Sequence, residues 1–249
     1  MMAGQQPRAE RRFYVGAGVF LLLLNLLAFS PAILDPSTRR VPLPFTPLVI
    51  AHVAVSLLLL LLFIAQGALV AKGRIDFHRQ LGIVGAGLVV AMIGLGYAAL
   101  VGEARRGFDL SGDLSTPPLP PALVVPITMS TVIQLVLFAL LFGSAFLYRH
   151  RPDIHKRLML MAFLGVLSQP PVAHLVGHWP AFRPYALLLF PIASAICLAP
   201  SAIHDKLTSG RVQPLSIWAP VAVFVTQVIF FVVVAPTPWW GSVSRELIR

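Results

Sequence analysis

The chain has 249 residues, 57% of them hydrophobic and only 11% charged. A soluble domain carries roughly 25% charged residues, so the composition excludes an ordinary soluble fold, and apolar runs of about 20 residues, long enough to cross a hydrocarbon core roughly 30 Å thick, recur throughout. The net charge of +10 is then explained by Lys and Arg marking loop ends and the cytoplasmic side of a bilayer, not by a nucleic-acid partner, and the single cysteine, Cys197, excludes an internal disulfide or a multi-cysteine metal site.

Residues 1–12 form a polar, basic segment with Arg8, Arg11 and Arg12, expected to be cytoplasmic. The first apolar run, Phe13–Leu34, is too long for a secretory h-region, and Pro31 follows Ser30 where cleavage would be expected, so it reads as a retained span. Asp35 to Arg40 and the prolines 42, 44 and 47 break the chain before a second span at Pro47–Ala71, with Pro47 suited to a helix start. After the basic loop 72–80 comes a third span, Leu81–Val101. Its Gly82/Ala86, Gly87/Ala91 and Gly94/Ala98 pairs predict a tightly packed central helix. Loop 102–121 ends in a proline cluster.

The fourth span is expected at Ala122–Tyr148, the second basic loop at 149–157, and the fifth span at Leu158–His178. Gln169-Pro170-Pro171 breaks that fifth span and strands the carbonyls of Val166 and Leu167 at membrane depth, where neighbours must satisfy them. A sixth span at Pro184–Ile203, a loop at 204–214 and a seventh span at Leu215–Ala235 follow. The tail, 236–249, offers Trp239 and Trp240 as interfacial aromatics. The expectation is an all-α polytopic transmembrane bundle, with a seven-span domain over 13–235.

One unit is written twice. Asp76-Phe77-His78-Arg79-Gln80-Leu81 recurs as Asp153-Ile154-His155-Lys156-Arg157-Leu158, each between an apolar helix with a basic loop and a second apolar helix. Spans 2–3 and 4–5 thus read as a parallel duplicated hairpin. Twelve of the nineteen Lys and Arg fall on the side of the N-terminus. This places the N-terminus in the cytoplasm and the C-terminus in the periplasm of a bacterial inner membrane. The abundance of Ala, Leu, Val, Pro and Arg suits a GC-rich bacterium.

No Asp or Glu lies within an expected span, which removes weight from an ion-coupled transporter. The histidines are the remaining chemistry, and orientation sorts them. His52, His174 and His178 lie toward the outer face, and His174 and His178, four apart, share a helix face. Buried imidazoles need a partner or a metal. These three are therefore boundary residues bonded to backbone, or ligands of a haem or transition metal, or part of a substrate site. His78 and His155 lie at helix mouths toward the inner face. Asp76 and Asp153 are expected as N-caps there, and Arg79, Lys156 and Arg157 as contacts of lipid phosphates. If the two mouths meet, the pair would coordinate one iron or bind an anionic head group.

His78-Arg79-Gln80-Leu81-Gly82 and His155-Lys156-Arg157-Leu158-Met159, with Asp205, Gly210-Arg211-Val212 and Pro214, resemble an uncharacterised family of bacterial multi-span membrane proteins over about residues 47–220. That pattern carries His where this chain has Gln213, which sets the loop at 204–214 apart as a degraded third copy. More distantly, the chain is similar to two-haem membrane cytochromes b, whose helices supply paired histidines on the two sides of the membrane. That resemblance implies haem b held by His52 with His174 and by His78 with His155, and a redox or membrane-protein partner. In those cytochromes the ligands lie within spans, whereas His78 and His155 lie at helix entrances. His174-x-x-x-His178 is also similar to three-histidine membrane zinc hydrolases, which need an acid near the metal. The opposing reading is a non-enzymatic small transporter or assembly protein with structural histidines.

Overall fold

A computed structural model of the chain describes residues 6–34, 46–105, 129, 131–177, 186–247 and 249, and these contain helices and turns but no strand. The helices are α1 (Gln6–Leu34), α2 (Pro47–Ala71), α3 (Ile75–Arg105), α4 (Thr131–Leu147), α5 (Pro152–Leu160), α6 (Gln169–Gly177), α7 (Ala186–Ser209), α8 (Leu215–Ile229) and α9 (Pro238–Leu247), with π-helical segments at Met161–Val166 and Phe230–Val234. Among the described residues, four stretches are long and apolar enough to cross a membrane: Arg12–Ser30, Pro47–Ala71, Ile75–Gly102 and Leu215–Val234. Their outward faces carry exposed Leu23, Leu58, Ile83, Val90 and Val232, a surface that suits lipid. The chain is a helical, membrane-embedded protein. The expected loop 102–121 is helix as far as Arg105, and the rest of it, like His178, lies outside the described residues.

Local chemistry sets the helix ends. Thr46 caps α2 by accepting from Val49 N at 3.3 Å, and Pro47 follows at its first turn. Gly73, at φ 71°, closes the other end: its N–H reaches Val70 O at 3.1 Å and Arg74 N–H reaches Leu69 O at 2.9 Å. That double bond to stranded carbonyls needs a left-handed residue, which glycine supplies without steric cost. Only 72–74 separate α2 from α3, so the expected loop 72–80 is mostly helix. Asp76 and Asp153 lie inside the first turns of α3 and α5, and Arg151 is the residue that precedes α5, without a side-chain capping bond. Both carboxylates thus face the positive end of a helix dipole instead of capping it.

The central element is the fifth rod, not the glycine-rich α3. Every residue from Met161 to Val166 is buried. The Phe163 ring stacks on Phe63 of α2 at 4.2 Å and meets Phe138 of α4 edge-on at 5.8 Å. Gly165 lies so close to α7 that an added Cβ would sit 2.9 Å from Leu198 Cδ1. By contrast Gly87 and Gly94 of α3 are exposed, with open space where a Cβ would go, and α3 approaches its neighbours through Gly85 and Gly96. The physical reason lies in the polar residues. Ser168 and Gln169 cannot face lipid without cost, so their rod goes to the middle, while the apolar face of α3 is free to turn outward.

Polar side chains bond the backbone just ahead of the prolines. Ser168 Oγ donates to Leu164 O, and Gln169 Nε2 donates to Gly165 O at 2.7 Å. Gln227 Nε2 of α8 then donates to Gln169 Oε1 at 3.0 Å, with both glutamines fully buried. Two side chains thus take over bonds to carbonyls of the preceding turn, as helix breaks at membrane depth require.

Nearer the end of the bundle that holds the 72–74 and 148–151 turns, Arg157 ties three helices together. It donates from Nη2 to Asp205 Oδ1 at 2.7 Å, from Nε to Ser216 Oγ at 3.2 Å and from Nη1 to Asp153 O at 2.7 Å. Asp205 Oδ2 accepts from Ser216 Oγ at 2.7 Å and from Gln213 N at 3.2 Å. Arg157 is only 9% exposed and Asp205 only 5%. This corrects two expectations: Arg157 is not a lipid-phosphate contact, and Asp205 sits on α7, which runs to Ser209, not in a loop. The tail also differs from expectation. It forms α9, bound to α3 by Tyr97 Oη donating to Leu247 O at 2.9 Å, with Trp240 packed edge-on against Phe230 at 4.9 Å. Trp239 is 64% exposed and Trp240 only 6%, so the second is a packing residue and not the interfacial aromatic expected of it.

Burial pushes the Asp205 carboxyl up, but the hydrogen bonds from Arg157 and Ser216, the Arg157 charge and the Gln213 N–H outweigh it and hold the group below the usual carboxylate range. Removing one partner of such a pair costs about 3–5 kcal/mol. Arg157→Met is therefore expected to destabilise the protein by about that much in detergent unfolding, and Arg157→Met with Asp205→Leu to recover part of the loss. The wild-type advantage over that double variant is expected to be complete above an unfolded Asp pKa of about 3.9 and to fade as pH falls below it toward the depressed folded value. A flat pH dependence, or a double variant as unstable as the single, would overturn this assignment.

Candidate functional site

The two Asp-x-His copies meet. The turn at 72–74 sends α3 back beside α2, and the turn at 148–151, with Arg151 N–H on Tyr148 O at 2.8 Å, sends α5 back beside α4. His78 lies in the first turns of α3 and His155 in those of α5, with ring centres 6.2 Å apart and planes at 86°. His155 Nδ1 lies 2.8 Å from Ala145 O of α4. A carbonyl only accepts, so Nδ1 carries the proton, and the lone pair of the ring in that tautomer is on Nε2. His78 Nδ1 is buried without a hydrogen-bond partner. So is Gln66 Oε1 of α2, whose amide nitrogen reaches toward Gly82, one turn beyond His78 on the same face of α3. Two imidazoles and one amide oxygen thus hold unused polar capacity at the end of the bundle.

This arrangement has the features of a ligand pair. A metal-binding histidine normally donates its other ring N–H to a carbonyl or carboxylate, which sets the tautomer and ring direction, and Ala145 O does this for His155. Imidazoles bonded to one metal at about 2.0–2.1 Å place their ring centres roughly 5 Å apart at a tetrahedral angle and a little over 6 Å apart on opposite sides of the ion. The observed 6.2 Å fits the opposed arrangement. No group of three or more His, Cys, Asp or Glu side chains is gathered to hold a metal among the described residues.

The other histidines are placed differently. His52 lies against α3, its Cε1 3.8 Å from where a Gly96 Cβ would be, with Leu135 of α4 on the same glycine. Its Nδ1 is buried without a hydrogen-bond partner. His174 is buried against the Phe29 ring of α1, with centres 5.0 Å apart. The structure gives His52 and His174 different neighbours and no ring contact with each other. His204, which opens the expected loop 204–214 and lies on α7, stacks on Phe13 of α1 at 4.3 Å.

Sequence reasoning did not single out Gln66, Ala145 or the Arg157–Asp205 pair. A signal for the last exists in the repeat: Gln80 in the first copy stands where the second has Arg157, and Asp205 is the one acid in the segment 204–214. Comparison with protein-family models, with curated proteins and with solved structures finds no match to this chain.

The tautomer of His155 is directly measurable. With 15N-labelled histidine, comparison of wild type with His155→Gln is expected to assign His155 to the Nδ1–H form at neutral pH. Finding the proton on Nε2 would remove the lone pair from the meeting point and with it the ligand geometry.

Proposed function

We propose that the chain is an inner-membrane protein that binds haem b or another metal through paired histidines, in electron transfer or cofactor handling, and that His78 with His155 is the pair that holds it. The observation that carries this reading is the meeting of the two rings at 6.2 Å with His155 oriented by Ala145 O. A haem iron held by two imidazoles would supply one-electron transfer. The chain's own part is to orient His155, to bring His78 to it through the two turns, and to keep the pair among packed helices. His52 and His174, with His178, are the second set that likeness to two-haem cytochromes b implies. Their support is thinner, resting on the orphaned Nδ1 of His52 and the burial of His174.

In this reading the bundle has seven spans: the four long apolar helices, a span that includes α4, an interrupted rod that starts at Leu158 and includes α6, and α7 as far as Ile203. Spans 2–3 and 4–5 are a duplicated hairpin of parallel sense. The reading is supported by two short basic turns, each leading into a helix that carries Asp and His in its first turns. In both turns an arginine folds onto an aromatic ring, Arg74 on Phe77 and Arg149 on Phe146, each at 4.9 Å. The bias of Lys and Arg puts the N-terminus and the histidine pair on the cytoplasmic side and the C-terminus in the periplasm.

The test is spectroscopic. Protein purified in detergent from haem-supplemented cells is expected to show a Soret band and, after dithionite, a sharpened band in the visible region. His78→Ala and His155→Ala should each lose most of that signal while His52→Ala keeps it. If haem is absent, elemental analysis is expected to find a transition metal lost in the same two variants. Neither a Soret band nor a bound metal in the wild type would overturn the proposal.

A further inference from the structure

The repeat brings charges together as well as histidines. His78 N–H donates to Arg74 O at 3.1 Å and His155 N–H to Arg151 O at 2.9 Å, so an arginine stands one turn before each ring, at corresponding places in the two copies. Two residues earlier again the copies carry Lys72 and Arg149. Because the rings lie 6.2 Å apart, the two turns stand side by side at one end of the bundle. All four of these cations are exposed, and among the described residues no ion pair engages any of them. Arg74 lies over the Phe77 ring and Arg149 over the Phe146 ring, each at 4.9 Å, and Arg149 also donates to Phe146 O at 3.2 Å. Those contacts fix where the two charges sit and neutralise neither. Each copy has one exposed acid, Asp76 against Lys72, Arg74 and Arg79 in the first and Asp153 against Arg149 and Arg151 in the second. Both copies keep a positive surplus, and like charges held in one place by the fold attract an anion.

That surplus is divided. Lys72 with Arg74 belongs to the first copy and Arg149 with Arg151 to the second, and the repeat relates the two pairs. Their complement is an anion that is itself double, with two phosphate groups joined by a short linker. A lipid with a single phosphate answers one pair and leaves the other. The surroundings name the source. The first turn joins two apolar helices, each long enough to cross a membrane, and so lies at the bilayer boundary. Ile75 and Phe77 are exposed beside the first pair and Leu147 and Tyr148 beside the second, which offers acyl chains an apolar surface at both. Basic sites between helices at that level suit the headgroups of multiply charged lipids. We propose that the paired turns bind a bilayer lipid whose headgroup carries two phosphates, as in diphosphatidylglycerol, one phosphate toward Lys72 and Arg74 and the other toward Arg149 and Arg151. Such binding does not require a metal between the histidines.

The experiment is a lipid competition on the full chain. The protein is reconstituted in nanodiscs with diphosphatidylglycerol, phosphatidylglycerol and phosphatidylethanolamine in equal amounts of phosphate, and the lipids it keeps are read by native mass spectrometry. Diphosphatidylglycerol is expected to be kept about tenfold over phosphatidylglycerol, because its second phosphate gains the second cation pair. Arg74→Gln and Arg151→Gln should each lower its retention about fivefold, the worth of one cation at a charged surface. The two changes combined should bring it to the level of phosphatidylglycerol. All three variants should keep an unfolding temperature near that of wild type in lipid-free detergent. Arg245→Gln, an exposed cation on α9 at the other end of α3, should leave the preference unchanged. Equal retention of the two glycerol lipids, a combined variant that keeps the preference, or an Arg245→Gln variant that loses it would each overturn the proposal. Binding of millimolar inorganic diphosphate with no diphosphatidylglycerol retained would overturn the lipid source and leave a soluble double phosphate as the ligand.

Discussion

The arrangement depends on one guanidinium. Arg157 and Asp205 are both withdrawn from water, and a buried ion pair is stable only when nearly all its donors and acceptors are met. Here both oxygens of Asp205 are engaged, by Arg157, Ser216 and the Gln213 N–H, and Arg157 also bonds a carbonyl of its own helix. Those bonds draw α5, α7 and α8 to one point. They also set the rotation of α5. His155 precedes Arg157 by two residues, which is about 200° around a helix of 3.6 residues per turn. With Arg157 turned toward α7 and α8, His155 is directed the other way, to Ala145 O and His78. The ion pair and the histidine pair are two sides of the same turn.

About twelve residues farther along, the same rod meets the prolines. A double proline in a membrane helix removes two donors and leaves carbonyls with no water to turn to. Just ahead of them lie a π-helical segment, a serine bonded to Leu164 O, and a glutamine that bonds Gly165 O and is paired with Gln227 of α8. These polar side chains and the ion pair belong to the rod that no other element replaces at the centre. Its burial on all sides follows from them: the rod holds groups that lipid cannot satisfy, and its neighbours can.

Much of the plan was legible beforehand. Hydropathy located the apolar helices, and the ends of α2 follow from Thr46, Pro47 and Gly73, whose backbone roles are local. The meeting of His78 and His155 was posed by the repeat, though only the packing of α3 and α5 brings the rings together. The glycines of α3 read as a packing face, but a small-xxx-small pattern says that a close approach is possible and not that a helix makes one. Gly87 and Gly94 face outward, while Gly165, alone in its stretch, is the tight contact with Leu198. Asp205 was misplaced because a charged residue near the end of an apolar run reads as loop. Its cost inside the helix is offset by Arg157, a partner 48 positions away in sequence.

The difference between the two copies explains why one hairpin is central and the other is peripheral. The motifs align residue for residue, yet the first has Gln80 where the second has Arg157. Gln80 and Arg79 are exposed, and among the described residues α3 has neighbours chiefly in α2 and α4. Arginine at the second position made contact with Asp205 and Ser216 possible, and that contact requires two further helices to close around α5. A polar residue that water can serve leaves its helix at the edge. A charge that only another buried charge can serve carries its helix to the middle. The histidines of the two copies therefore approach one another from unequal sides, His155 held in place by the ion pair behind it and His78 carried on a helix whose entrance has no such pair among the described residues.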